Sequence, residues 1–346
     1  MNKYLIFIFL LVSSLGFCKP IEEFIQNDLN IKKFNVKQNA SNDIVEGGKL
    51  SDIFFIENLD SMDMLVIKRF SKTEGMGLDF EKEKRAYEFF QNYSFSSFKT
   101  PTLVKSYEDE ENSYLVLTKA SGITLNHLLQ KRKSIPFWKR EEYDKNIKLA
   151  MKESAKALYE LHQSASNQSF KKISPHSSSP TELAKRISAS LKNPKIAANF
   201  EHFRKKVSNK PLKFGTCHGD LHLGNIFFDE HGKTVTLIDF STLSGHEESL
   251  GKIPVAEEIA TFIAYFEAIA YLHGINQKDT KLFLEEFKIN YPEYASMYDE
   301  IAYFRQIALL RLIETCQDGS SDSYLDYQMR ELASYSKKAI FFPLIS

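Results

Sequence analysis

The period of the hydrophobic pattern changes once along this 346-residue chain, close to residue 120, and that change governs what it can fold into. Before it, residues 44–70 read as strands, with β-rich runs at 52–57 and 64–70 separated by a polar turn at 58–63. Residues 79–91 turn helical, with Phe80, Tyr87 and Phe90 along one stripe. Thr100-Pro101 breaks the chain, and residues 113–119 return to strand character. Strands, one helix and further strands suit a small antiparallel sheet carrying a helix. From Leu125 onward the period is helical. Residues 141–162 form a long amphipathic segment through Ile147, Ala150, Met151, Ala155, Leu158 and Leu161. Residues 164–179 are Ser-rich and polar and read as a loop, and Pro180-Thr181-Glu182 opens another helix. A strand pattern at 234–240 precedes helical patterns at 255–272, 280–290, 296–316 and 323–338. The expected fold class is α+β and bilobal: a small antiparallel-sheet lobe over residues 19–120 and a mainly helical lobe over 121–346, with a cleft between them.

Composition removes several classes of function. Lys+Arg and Asp+Glu balance at 45 each, so the chain has no general field for nucleic acid or an acidic membrane, and charge-based recognition must be local. No nucleic-acid partner is expected. Three cysteines, Cys18, Cys217 and Cys316, are too few and too scattered for a disulfide framework or a Cys-rich zinc site; Cys217 and Cys316 read as small buried side chains. At the N-terminus, Lys3 is followed by an apolar run over residues 5–12, and Ser13, Ser14 and Gly16 lead to Cys18-Lys19-Pro20. That pattern predicts a signal peptide over residues 1–18 and an exported protein, periplasmic or secreted. The run is too short for a comfortable transmembrane span, so stable membrane insertion requires that the segment be retained. Lipidation at Cys18 is an alternative, although Phe17 stands where a lipoprotein signal prefers a small residue. The other alternative is a misjudged start, with the protein then cytoplasmic.

The densest chemistry lies between Cys217 and Phe240. Cys217-His218-Gly219-Asp220-Leu221-His222-Leu223-Gly224-Asn225 runs into the strand pattern Ile226-Phe227-Phe228, and Val235-Thr236-Leu237-Ile238 leads to Asp239-Phe240. The turn His231-Gly232-Lys233 joins the two strands as a hairpin, so both ends meet at one edge. Two carboxylates and an amide then come within reach of a single point. Oxygen ligands of this kind suit Mg²⁺, which takes one or two protein carboxylates and leaves the rest of its shell to water and phosphate. A catalytic-loop Asp, an Asn five residues later and a strand-end Asp are the set a kinase site uses.

These residues resemble a known family. His218-Gly-Asp-Leu-His222-x-x-Asn225 with Ile238-Asp239-Phe240 is similar to the aminoglycoside phosphotransferase and choline kinase group of the protein-kinase-like superfamily. The resemblance implies ATP and Mg²⁺, with Asp220 as catalytic base and Asn225 and Asp239 as metal ligands. It implies further that Lys68, in Val66-Ile67-Lys68, is the phosphate-binding lysine. Glu83 is its ion-pair partner, chosen over Glu81 and Glu88 by its spacing to Tyr87 and Phe90. Leu115 to Gly122 resembles the hinge, where backbone groups of Thr118, Lys119 and Ala120 meet adenine. Residues 46–52, with Gly47-Gly48, stand where a phosphate-covering turn belongs, or form an ordinary hairpin turn. Leu158 to His162 resembles the helix before the catalytic region, with His162 a packing or hydrogen-bonding residue. The family often places an Asp shortly after the metal motif to support the catalytic loop. Here Glu257-Glu258-Ile259-Ala260 stands in its place, with Glu258 the better match.

The function implied is transfer of the γ-phosphoryl group of ATP to a hydroxyl of a small molecule that is aminoglycoside-, choline- or sugar-like. An exported protein kinase and a non-catalytic ATP-binding module are the alternatives. Between residues 276 and 331 acids outnumber bases, which either attracts a cationic acceptor or forms a solvated helical surface. Tyr291, Tyr294, Tyr298, Tyr303, Tyr324 and Tyr327 either cage that cation or pack.

Overall fold

The computed structural model describes residues 21–38, 51–73, 76–164, 169–172, 178–243, 253–317, 334 and 336–340. The expected leader, the Gly47-Gly48 turn, Tyr324, Tyr327 and most of the helical pattern at 323–338 lie outside the described residues. The chain divides into two compact units. Among the described residues, the first holds 21–38, 51–73, 76–85 and 102–119, and the second holds the rest.

The first unit is built on an antiparallel sheet of order β1-β2-β3-β6-β5. Its strands are β1 (Phe34–Gln38), β2 (Asp52–Asn58), β3 (Met64–Ser71), β5 (Leu103–Glu108) and β6 (Asn112–Thr118). The short helix α1 (Ile21–Asn27) covers one face, where Phe24 and Ile25 bury against Phe54, Ile56, Ile67, Tyr114 and Val116. Phe24 stacks on Tyr114 at 4.5 Å between ring centroids. The register explains this cluster, since Ile67 lies opposite Phe54 on one side and Val116 on the other. Side chains alternate along a strand, so Lys68 and Phe70 point to the other face. There Phe70 meets Phe80 of α2 (Gly77–Gln91), edge to face at 5.7 Å. The alternation thus delivers Lys68 to the face that α2 covers.

The second unit is mainly helical and carries a four-stranded sheet of order β4-β11-β10-β7. Here β4 is Phe98–Lys99, β7 Ile123–Thr124, β10 Ile226–Asp229 and β11 Thr234–Leu237. Its helices are α3 (Leu125–Arg132), α4 (Phe137–Gln163), α5 (Ser178–Ser190), α6 (Lys195–Val207), α7 (Val255–Leu272), α8 (Gln277–Asn290) and α9 (Tyr298–Gln317). Helix α7 is apolar nearly all round and buried as that composition requires, packing on α9, while α4 packs along α8. Arg305 is 1% exposed and donates to Glu267 at 2.6 Å, so this buried cation is paired.

The expected α+β class and its order of sheet then helices hold. Two local expectations fail. The polar stretch at 164–179 contains β8 (Ser169–Lys172), which pairs with β9 (Pro211–Phe214), a partner that no local pattern could reveal. The strand expected to run to Phe240 ends at Leu237, because Asp239 adopts a left-handed backbone with φ of 64°.

Candidate active site

Pairing of β10 with β11 sets Ile226 opposite Leu237, and one step further Ile238 N–H donates to the Asn225 carbonyl at 3.1 Å. Asn225 and Asp239 therefore sit side by side at the open end of the hairpin. A single 3₁₀ turn, Leu223–Asn225, feeds β10; its start is capped by His222, whose Nδ1 accepts from Gly224 N–H at 3.0 Å. Asn225 is 4% exposed, and its Nδ2 donates to the Asp220 carbonyl at 2.9 Å. With the amide nitrogen held there, the amide oxygen is the atom that can ligate a hard cation. Asp239 has a left-handed backbone with φ of 64°, a conformation Asp tolerates, and it turns the chain out of β11. An oriented amide oxygen beside a half-buried carboxylate fits Mg²⁺, which binds oxygen donors.

Asp220 has an exposed side chain on a fixed backbone. Its carbonyl accepts from Asn225 Nδ2 and from His222 N–H at 3.1 Å, and its N–H donates to His218 Nδ1 at 3.4 Å. His218 is fully buried, and its Nε2 donates to the Ile238 carbonyl at 2.8 Å. These two bonds assign the tautomer, with the proton on Nε2 and an acceptor at Nδ1. His218 therefore ties the loop that carries Asp220 to the strand end that carries Asp239. Burial pushes the pKa of His222 down, opposed by the negative charges of Asp220 and Asp239. Phe240, fully buried, closes this end against Tyr87, Phe90 and the His218 ring.

The loop is anchored from below by Glu258, in the first turn of α7. Its Oε1 accepts from Gly219 N–H at 2.7 Å, and its Oε2 accepts from His218 N–H at 3.2 Å and His162 Nε2 at 2.8 Å. His162 Nδ1 in turn meets the Tyr291 hydroxyl at 2.8 Å. Burial alone raises the carboxyl's pKa. The His162 hydrogen bond and charge, with the Gly219 N–H, outweigh burial and hold Glu258 below the usual range. Glu258 thus does the supporting work that the sequence left open. His162 and Tyr291 complete the anchor; Tyr291 had no such expectation attached to it. Cys217 lies close enough that His162, Cys217 and Glu258 present ligand atoms within 4.8 Å of one another. Both Glu258 oxygens are already taken by N–H donors, and the Cys217 thiol faces the Ile253 carbonyl at 3.5 Å. Burial, with the charges of Glu258 and Glu257, keeps that thiol's pKa well above its ordinary value. The cluster is a hydrogen-bonded anchor.

Gly219 is required for this arrangement. Its φ is +88°, and a Cβ there would lie 2.4 Å from the Thr242 carbonyl oxygen, while Thr242 Oγ1 donates to the His218 carbonyl at 2.9 Å. Gly219→Ala is expected to cost at least about 2 kcal/mol, summing left-handed strain with a backbone clash. Urea denaturation of the two proteins measures it.

In the first unit Lys68 and Glu83 meet as expected, Nζ to Oε1 at 2.5 Å, with side chains 8% and 1% exposed. Removing one partner from a buried pair leaves a desolvated charge. Lys68→Ala is therefore expected to lose about 3–5 kcal/mol, and Lys68→Met with Glu83→Gln together much less. A double-mutant cycle of unfolding free energies reads the difference. Of the residues expected to meet adenine, Thr118 N–H donates to the Thr102 carbonyl at 3.0 Å and Lys119 N–H to the Met64 carbonyl at 3.0 Å. Their donors are committed to the sheet. Ala120 N–H makes no hydrogen bond among the described residues.

Among the described residues, acids of the C-terminal region are largely paired: Asp279 with Arg132, Glu293 with Lys213, Asp299 with Lys210, Glu285 with Lys288 and Glu314 with Arg186. Tyr291, Tyr294 and Tyr303 are buried in the core.

The model of the phosphotransferase enzyme family matches residues 44–296. No curated protein matches the sequence. Among solved structures, the aminoglycoside phosphotransferase APH(3'')-Id from Streptomyces rimosus is similar at 14% identity and a TM-score of 0.44, over 82% of this chain and 97% of that one. With nearly three quarters of its length matched, and with the motifs at His218–Asn225 and Ile238–Phe240 inside the match, this chain belongs to the phosphotransferase enzyme family.

Proposed function

We propose that the protein transfers the γ-phosphoryl group of ATP to a hydroxyl of a small molecule, with Mg²⁺ held by Asn225 and Asp239. The observation that carries this reading is the placement of Asp220, Asn225 and Asp239 at one hairpin end, with the Asp220 and Asn225 backbones held by hydrogen bonds. A bound Mg²⁺ supplies neutralisation of the phosphate oxygens. Lys68, held by Glu83, is the cation for the remaining phosphates, and Ala120 N–H is the donor for adenine. Asp220 orients the acceptor hydroxyl and takes its proton. The hydroxyl oxygen forms a bond to the γ-phosphorus as the bond to ADP breaks. An exposed carboxylate on a rigid loop suits a base that must meet an incoming substrate.

Retention of Lys68, Glu83, Asp220, Asn225 and Asp239 together favours catalysis over a module that only binds nucleotide. A neutral sugar or amino-alcohol acceptor is as compatible as a polycation, because many of the C-terminal acids are already in ion pairs. The test is ATP consumption across a panel of aminoglycosides, choline, sugars and protein substrates, with and without Mg²⁺. Transfer to a small alcohol that stops when the metal is chelated supports the reading. Transfer to protein alone, or nucleotide binding with no turnover on any acceptor, overturns it. Asn225→Ala is expected to raise the Mg²⁺ concentration for half-maximal rate by about 10–100-fold, the scale on which loss of a group that shapes a metal site is felt. A Mg²⁺ titration of initial rate measures it.

A further inference from the structure

The start of α4 breaks the rules that govern the rest of the chain. Phe137 and Trp138 are 76% and 72% exposed, and their rings meet edge to face at 5.7 Å. Among the described residues they are the two large exposed apolar side chains that adjoin in sequence. Trp138 is the single tryptophan of the protein. Lys131, Lys133 and Lys139 stand exposed around them, and none is in an ion pair among the described residues. Arg132 is turned inward onto Asp144 and Asp279 and takes no part. Arg140 is half-buried and donates to the Ile135 carbonyl, and Glu141 and Glu142 follow as exposed acids.

Helix energetics does not explain this segment. Pro136 gives no side-chain cap, and the first turn carries Lys139 and Arg140 in place of an acid, against the preference of the helix dipole. By contrast α8 starts with Asn276 as a cap and Asp279 in its first turn. Local choices that disfavour the fold are kept where another role requires them.

We propose that this tip docks on an anionic lipid surface. Tryptophan partitions to the headgroup region, where its amphipathic ring is more stable than in water or hydrocarbon, and phenylalanine buries its apolar ring at the acyl boundary. Lysines beside them are attracted by anionic headgroups. The uncapped helix start adds the positive end of its dipole in the same direction. Two aromatic side chains offer about 300–500 Å² at most, short of the roughly 800 Å² per partner of a stable protein interface. Insertion into a fluid interface needs no complementary rigid surface. No helix among the described residues is long and apolar enough to cross a membrane. The net charge of zero does not oppose it, because the lysines act within a Debye length.

The experiment uses the full chain and vesicles of phosphatidylcholine alone or with about one part in four phosphatidylglycerol. Trp138 reports its own environment, so a membrane contact made by residues 1–18 cannot imitate the signal. The expected result is a blue shift of Trp138 emission, quenching by brominated lipid, and loss of both in high salt, all with anionic vesicles only. Phe137→Ala with Trp138→Ala should reduce co-sedimentation about tenfold or more, and Lys131→Glu with Lys133→Glu and Lys139→Glu by a similar factor. Both sets lie on the surface, and unchanged circular dichroism verifies the fold. Trp138 emission unmoved by anionic vesicles overturns the proposal. So does equal binding to neutral vesicles, or capture by a protein or oligonucleotide through the same residues without lipid binding.

Discussion

Asp220→Ala is expected to lower kcat by about 10²–10⁴-fold, the usual contribution of a positioned general base, with unfolding free energy nearly unchanged. The two halves of that expectation have separate causes. The carboxylate is exposed, so its removal leaves no cavity and no buried charge. The bonds that hold the loop run through the Asp220 backbone, to Asn225 Nδ2, His222 N–H and His218 Nδ1, and all survive truncation at Cβ. Asp220→Asn should behave alike, because the amide keeps the shape and cannot take a proton. In either variant KM for ATP should stay within about threefold, since the loss falls on the transition state. Steady-state kinetics with a thermal melt on the same samples measures both. A variant that loses rate and stability together would mean that Asp220 is structural.

Glu258→Ala should do the reverse and remove stability and activity together. Glu258 accepts three buried N–H donors, from Gly219, His218 and His162. Stranding buried donors costs about 1–3 kcal/mol each, and a broken buried charge network about 3–5 kcal/mol in total. That is a large fraction of the roughly 5–15 kcal/mol that stabilises a domain. The rate should fall at least about 100-fold, because Asp220 moves with the loop and small misplacements at a reacting centre have effects on that scale. Glu258→Asp restores the charge with a shorter reach and should fall between. A pH test separates charge from shape. The folded protein holds the Glu258 carboxyl below its ordinary 4.5. Its contribution is therefore fully present above about pH 5 and is lost as pH falls through the folded value. The stability gap between wild type and Glu258→Ala should shrink on acidification over that window, read from urea midpoints. A gap that widens there would contradict the assignment.

These two residues also show how much of the site was legible in the amino-acid sequence. Asp220, Asn225 and Asp239 were legible because a hairpin is local: alternation and a turn at His231-Gly232-Lys233 suffice to bring its ends together. The Lys68–Glu83 pair was legible through the resemblance, and helix spacing to Tyr87 and Phe90 picked Glu83 over Glu81 and Glu88. The anchor beneath the loop was legible only by resemblance. His162 bonds to Glu258 across 96 residues and to Tyr291 across 129, and no periodicity carries that information. The same holds for β8, a strand only because β9 lies beside it. The hinge reading needed the hydrogen bonds themselves, which show Thr118 and Lys119 giving their N–H groups to the sheet. The acidic run past residue 276 looked like a field for a cation, and ion pairs with Arg132, Lys213, Lys210 and Arg186 account for much of it. Composition registers charge and is silent on partners.

The most direct test is a crystal structure with Mg²⁺ and a non-hydrolysable ATP analogue. A divalent ion is expected with the Asn225 amide oxygen and an Asp239 carboxylate oxygen at about 2.0–2.1 Å, completed by phosphate oxygens and water. An ion bound to the nucleotide with either side chain outside its coordination shell would contradict it.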